Sequence, residues 1–298
     1  MFDIKELIQY HVDMHVHSNP DCSPIHPQHA SNEEVVKLCH DAGMHGFVLK
    51  THMWPAVGLA KKLNEMYDDF TVYPSVSLNL TAGGPYPWVM DMAIKNGARF
   101  VWLPTWSSIN DKKCAGGFTQ LVINEKSNEY LQDIPDEQFY TVCDENGELK
   151  DNIKKIIEMA KEANIVLGTG HGTTEEALQV MRYANSIGYK KVVFTHPACN
   201  LDAYSMDQLK EFAQLGGVIE LTTLCVQPEI NTMTPQLWKE TCEACGYDHC
   251  MLSSDQFFDW TPPIPVQYEK LMHDMYDLGC TMEQLKTMAQ VPLNLIEK

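Results

Sequence analysis

The sequence predicts an α/β fold, a (β/α)8 TIM barrel over residues 1–298 with an insertion after the fourth strand. Three observations carry this. A short apolar run, a polar loop and an amphipathic helix recur in order along the chain, as in alternating β/α units. The apolar runs, KKVVFTH and ANIVLGTGH among them, do not alternate with polar residues, as expected of parallel strands buried on both faces. Eight such units in this length fit a closed barrel. The alternative, an open doubly wound sheet, needs a glycine-rich phosphate loop after its first strand, and HVDMHVHSNPDCSP is not one.

The eight strands are read at 11–17, 46–50, 71–77, 99–103, 165–169, 191–195, 217–221 and 250–254. Helical patterns separate them. Residues 32–42 follow a loop rich in Asp, Ser and Asn, 57–66 precede the third strand, and 88–96 stop at Gly97, a C-terminal cap. Residues 152–163 precede the fifth strand, and 174–186 open on a Thr-Thr-Glu-Glu capping signal and end at Gly188. Residues 206–215, 235–245 and 265–278 follow, and a last helix starts near Thr281. Residues 107–150 break the rhythm, being far longer than an ordinary βα loop. Their Gly-Gly turn, two β-like runs (118–123 and 138–143) and Asp-Glu-Asn-Gly turn read as a loop or hairpin over the barrel mouth.

Composition bounds the function. Hydrophobic residues are 44% and charged residues 21%, ordinary for a globular enzyme. The net charge of −18 repels phosphate backbones and anionic membranes, which argues against nucleic-acid binding. No run of about 18 apolar residues offers a membrane span. MFDIKELIQY lacks a secretory h-region, so the expectation is a cytoplasmic protein. In that setting the ten cysteines are expected as free thiols. Cys242, Cys245 and Cys250 beside His249 invite a zinc reading, but no second CxxC exists; the simpler reading puts two on a helix and the third at the start of a strand.

The chemistry gathers at strand ends. His15-Val16-His17 closes the first strand, and alternation turns both imidazoles to one face. Neutral imidazoles are frequent metal ligands. Asp21 and His26 follow in a polar loop. His171 ends the fifth strand (GTGH), His196 the sixth (FTHP) and Asp255 the eighth (SSDQ). The C-terminal ends of barrel strands converge on one mouth, so residues far apart in sequence meet there. Burying so many imidazoles and a carboxylate without a metal or hydrogen-bond partners is costly. Glu220 inside the seventh strand, and His11 and Asp13 in the first, read as core or as support behind the ligands. Trp102, Tyr86, and the candidate substrate contacts His52, Trp54 and Trp106, stand near strand ends. No G-x-S-x-G elbow is present, and Cys199 near His196 makes a weaker dyad than His196 makes a ligand.

HVDMHVHS, GTGH, FTHPA and SSDQ, in that order, resemble the amidohydrolase superfamily of metal-dependent hydrolases, over nearly the whole chain. GFVLKTHMWP and DENGELKDNIKKIIEMAKEANIVLGTGH are most similar to an uncharacterised bacterial amidohydrolase-like branch. The resemblance implies that His15, His17, His171, His196 and Asp255 bind one or two divalent ions and a hydroxide. Zinc is the first choice, with manganese, iron or nickel as alternatives. Many two-metal members bridge their ions with a carboxylated lysine or a glutamate at the end of the fourth strand; FVWLPTW supplies neither. Lys50, ending the second strand, is a substitute that could be carboxylated, hold an anionic substrate, or pair with Asp255. Catalytic roles then fall to Asp255 as proton acceptor and to His196 or Lys50 as carbonyl polariser.

Three functions compete. The first is hydrolysis of a C–N or C–O bond in a small molecule: an amide, cyclic amide, lactone or deaminable ring. The second uses the same site as a phosphoesterase or decarboxylase. The third is a non-catalytic metal-binding barrel. A phosphoesterase would want several cations at the mouth, and only Lys50, Lys112 and Lys113 offer themselves. A homo-oligomer is the default assembly for such a barrel.

Overall fold

The computed structural model describes residues 1–21, 28, 30–114, 117–199 and 203–298, so His26 lies outside the described residues. Eight parallel strands form one sheet in sequential order: β1 (Val12–His17), β2 (Gly46–Lys50), β3 (Thr71–Ser77), β4 (Phe100–Trp102), β5 (Val166–Gly168), β6 (Val192–Phe194), β7 (Val218–Thr222) and β8 (Cys250–Ser253). The seam between β8 and β1 is drawn together by residues just beyond the end of β8. Val16 bridges Gln256, and the Asp13 carboxylate accepts the Ser254 amide at 3.0 and 3.1 Å. Helices lie between the strands, so each strand is covered on its outer face and the fold is the expected (β/α)8 barrel.

Side-chain alternation sorts the core into two compartments. Val48, Phe100, Trp102, Val166, Val193, Val218 and Met251 fill the barrel interior, while Leu49, Val101, Leu167, Ile219 and Leu252 meet the helices. Gly168 leaves the space that the Trp102 indole takes, since a Cβ there would sit 2.5 Å from that ring. Val291 and Ile296 of the last helix (Met282–Glu297) join the interior cluster, and Tyr73 donates to Glu297 at 2.7 Å. That helix therefore covers the end of the barrel where the strands begin.

The strand β1 is irregular in a way that matters. Its register against β2 shifts by one residue between Asp13 and Val16. Val12 and Met14 point into the interior cluster, yet Val16 packs outward, so the shift reverses the alternation. A bulge of this kind re-aims side chains at a barrel rim. Here it leaves apolar residues below and sends His15 and His17 to the mouth.

Two expectations change. The run 118–123 is not a β-arm of a hairpin: Phe118–Asn124 is helical, with Thr119 and Val122 buried one turn apart. The Asp111 carboxylate accepts the amides of Phe118 (3.1 Å) and Thr119 (2.7 Å), and this long-range cap overrides the local β-propensity. The run 138–143 contributes only isolated bridges, Ser108 with Tyr140 and Cys143 with Leu149. Nor are all thiols free: Cys199 and Cys225, whose Cα atoms are 5.8 Å apart, form a disulfide because the loops after β6 and β7 lie side by side. Cys242 and Cys245 sit on the helix Pro235–Cys245 and Cys250 opens β8, all as free thiols. Among the described residues, no helix is long and apolar enough to cross a membrane.

Candidate metal centre

His15 and His17 sit at the end of β1 and Lys50 at the end of β2. His171, His196 and Asp255 follow β5, β6 and β8 within a few residues. Each of the last three needs a turn to reach inward. Gly170 supplies one before His171 at φ 70°, where a Cβ would strike the Leu103 and Pro104 carbonyls at 2.4 Å. His196 and Asp255 take the left-handed region themselves, at φ 23° and 53°. Such backbone costs stability and gathers at functional sites.

The side chains converge. His15 Nε2 and His17 Nε2 each lie 3.1 Å from Asp255 Oδ1, and His171 Nε2 lies 3.1 Å from His196 Nε2. Ligand-capable atoms of His15, His196 and Asp255 all fall within 4.8 Å of one another. A second group, His17, Asp21 and His52, meets the same distance. The mouth of the barrel thus brings together all five residues read from the sequence as ligands, with Lys50 and His52 beside them.

Behind the imidazoles stands a row of carboxylates. His15 Nδ1 donates to Glu220 Oε1 at 3.0 Å, His17 Nδ1 to Asp21 Oδ2 at 2.7 Å and His171 Nδ1 to Asp111 Oδ2 at 2.6 Å. Asp21 also accepts from His52 Nδ1 at 3.1 Å and from the His52 amide. A carboxylate on Nδ1 fixes the tautomer whose Nε2 lone pair faces the centre, the arrangement that supports metal-bound histidine. Glu220 has a further task, accepting the His196 amide at 3.1 Å.

Burial governs the charges. It holds the imidazoles of His15 and His171 below their ordinary range and lowers His52 and His196 to about 3. They are neutral at neutral pH, which is the form that ligates. Burial raises Glu220 and Asp13 to about 7. For Asp255, burial pushes upward, but the ring of His15, His17 and His196 outweighs it and keeps the carboxyl well below its usual value.

The donor set fits a divalent ion. Two Nε2 atoms, His171 and His196, face each other at 3.1 Å, and among the described residues the buried His196 Nδ1 has no hydrogen-bond partner. One positive group already answers this arrangement: the buried Lys50 Nζ donates to His15 Nε2 at 2.8 Å and lies 5.2 Å from the Trp102 ring centroid. A cation among neutral imidazoles and one carboxylate is what these atoms accommodate.

The other sequence candidates divide between the site and its surroundings. His52 lines the cavity above the centre and stacks on Phe118 at 4.1 Å. Trp106 is buried behind it, donating Nε1–H to the His52 carbonyl at 2.8 Å. Trp54 is 50% exposed at the surface and Tyr86 is also exposed, because their loops turn outward. His11 stacks on Tyr268 in the core. Sequence reasoning missed Asp111 altogether and saw Asp21 only as a polar loop residue. No local motif marks Asp111; its link to His171 spans 60 residues. Asp111→Asn keeps an oxygen for the helix amides but removes the charge facing His171. Metal affinity is expected to fall about tenfold or more, read by competition with a chromophoric chelator. Unchanged affinity would free Asp111 of any supporting role.

The fold has solved counterparts. The chain is similar to an amidohydrolase from Pseudomonas aeruginosa (TM-score 0.65, 10% identity, 99% of this chain and 98% of that one). It is similar to a probable dipeptidase from Pseudomonas aeruginosa (TM-score 0.62, 12% identity, 98% and 96%) and to a mutant organophosphorus hydrolase from Deinococcus radiodurans (TM-score 0.60, 12% identity, 98% and 94%). At these identities the likeness speaks for the barrel. No curated protein sequence matches the chain. A family model described as a family of unknown function, DUF6282, matches residues 11–220, a span that holds His15, His17, Asp21, Lys50, Asp111, His171, His196 and Glu220; the chain belongs to that family.

Proposed function

We propose that this protein is a metal-dependent hydrolase that cleaves a C–N or C–O bond of a small molecule at the mouth of the barrel. The observation that carries the reading is that His15 and His17 turn Nε2 toward Asp255 and His171 turns Nε2 toward His196, each of these three imidazoles backed by its own carboxylate. The barrels of an amidohydrolase, a dipeptidase and an organophosphorus hydrolase add support from fold. His15, His17, His171, His196 and Asp255 would hold one or two divalent ions, with zinc the first candidate for so histidine-rich a set. A bound ion supplies Lewis-acid polarisation of a carbonyl and a lowered pKa for water.

The chain's own groups do the rest. Asp255 is an ionised carboxylate at the cavity floor, placed to accept a proton from an attacking water and return it to the leaving group. Lys50 is the cation of the floor, placed to stabilise developing negative charge on a carbonyl oxygen. His52, oriented by Asp21, presents its other nitrogen to the substrate. Residues 107–150 complete the mouth as part of one barrel domain, through Asp111 behind the centre and Phe118 above it. Chelation should abolish hydrolysis across a panel of small amides and lactones, and zinc or manganese should restore it. A metal-free protein as active as the loaded one, or a loaded protein inert on the whole panel, contradicts the reading.

A further inference from the structure

Above the floor lies a cavity of about 240 Å³. Its two ends differ in chemistry. The floor is Lys50, His52, His171, His196 and Asp255. The wall is Phe118 and Leu121 from the insertion helix, Leu224 and Ile230 from the segment after β7, and Phe257 and Phe258 after β8. These six form one apolar cluster in which Phe118 meets Phe257 edge-on at 5.3 Å and Phe257 meets Phe258 at 4.6 Å.

The wall carries no cation. Among the described lining residues the one cation is Lys50, already donating to His15 at the floor. The sequence places no lysine or arginine at 22–27, 29, 115–116 or 200–202 either. The charged residue at the rim is acidic, Glu229, and the chain carries −18. A carboxylate or phosphate arm lying along this wall would lose its water and gain no partner. An uncharged apolar arm loses nothing and buries its surface. The volume lies below the usual range for drug-sized ligands, so the arm is one ring or a short branched chain.

We propose that the substrate is a small neutral amide or lactone, its scissile carbonyl at the polar floor and its arm, aromatic or branched aliphatic, against the wall of Phe118, Leu121, Leu224, Ile230, Phe257 and Phe258. The carbonyl part of this assignment rests on the hydrolase reading above; the neutral, apolar arm rests on the wall alone.

The test compares phenylacetamide with 4-carboxyphenylacetamide by isothermal titration calorimetry on the metal-loaded protein. The wild type is expected to bind the neutral amide at least about tenfold more tightly. Leu121→Lys should bring the two affinities close together. Any direct contact of the carboxylate with the metal is common to both proteins, so the change in ratio reports the wall. Ile230→Lys, on a different segment, makes the same prediction should Leu121→Lys fail to fold. Equal or tighter binding of the carboxylate by the wild type, an unaltered ratio in the lysine variants, or no binding of either compound overturns the proposal. Ammonia release from phenylacetamide is followed in parallel. Selective binding without turnover of this amide or of a phenyl-substituted γ-butyrolactone counts against the hydrolase reading and leaves the assignment of the wall standing.

Discussion

Replacing His15 and His17 together by alanine is expected to lower the bound metal to less than about a tenth of the wild-type content. Both Nε2 atoms lie 3.1 Å from Asp255 Oδ1, so one double substitution strips two of the donors around that carboxylate. It also leaves Glu220 and Asp21 facing empty space where they now accept Nδ1–H. The barrel should survive. The two rings lie above the interior packing of Val12 and Met14, and the β8–β1 seam is held by Asp13 and by backbone atoms. Circular dichroism checks the fold and mass spectrometry counts the metal. Full retention of metal by a folded double variant removes these residues from the ligand set.

Asp255→Asn should reduce turnover by roughly 10²- to 10⁴-fold while the fold persists. Asparagine keeps the size of the side chain and gives up both its charge and its capacity to take a proton. It is also the right substitution for the backbone. Residue 255 has φ 53°, a conformation that asparagine tolerates far better than most residues. Alanine there would mix backbone strain with lost chemistry. Metal content is measured on the same sample, because Asp255 is both candidate ligand and candidate proton acceptor. A variant that retains its metal and loses turnover isolates the proton role. Near-normal turnover takes Asp255 out of the mechanism.

The parts of this molecule written locally were legible. An uninterrupted apolar run such as KKVVFTH has few uses other than a strand covered on both faces, and all eight runs became strands. The capping signal before 174 sets a helix whose ends fall on the expected residues, and 235–245 is helical over the range expected. Histidines and an aspartate at strand ends could be grouped at one mouth because barrel geometry alone brings those ends together. What was not legible depends on distance. The run FTQLVIN is β-like by composition and helical in place, since Asp111 caps its amides from seven and eight residues away. The same Asp111 carboxylate supports His171 across 60 residues. The bulge in β1 has no sequence mark, yet it decides which side chains of HVDMHVH fill the core and which reach the mouth. The disulfide between Cys199 and Cys225 needs two neighbouring loops that only the folded barrel sets side by side. Trp54 and Trp106 show how far position in sequence can differ from position in space. Both stand close to a strand end in sequence, but one turns to solvent and the other supports His52 from behind.

Elemental analysis of the purified native protein by inductively coupled plasma mass spectrometry tests the metal centre itself. A stoichiometric divalent ion is expected: one per chain for a mononuclear centre, two for a centre that also engages the His17, Asp21 and His52 group, with Lys50 facing substrate in either case. A protein that holds none, and takes up none on incubation with zinc and manganese, would contradict the metal centre and with it the proposed hydrolase.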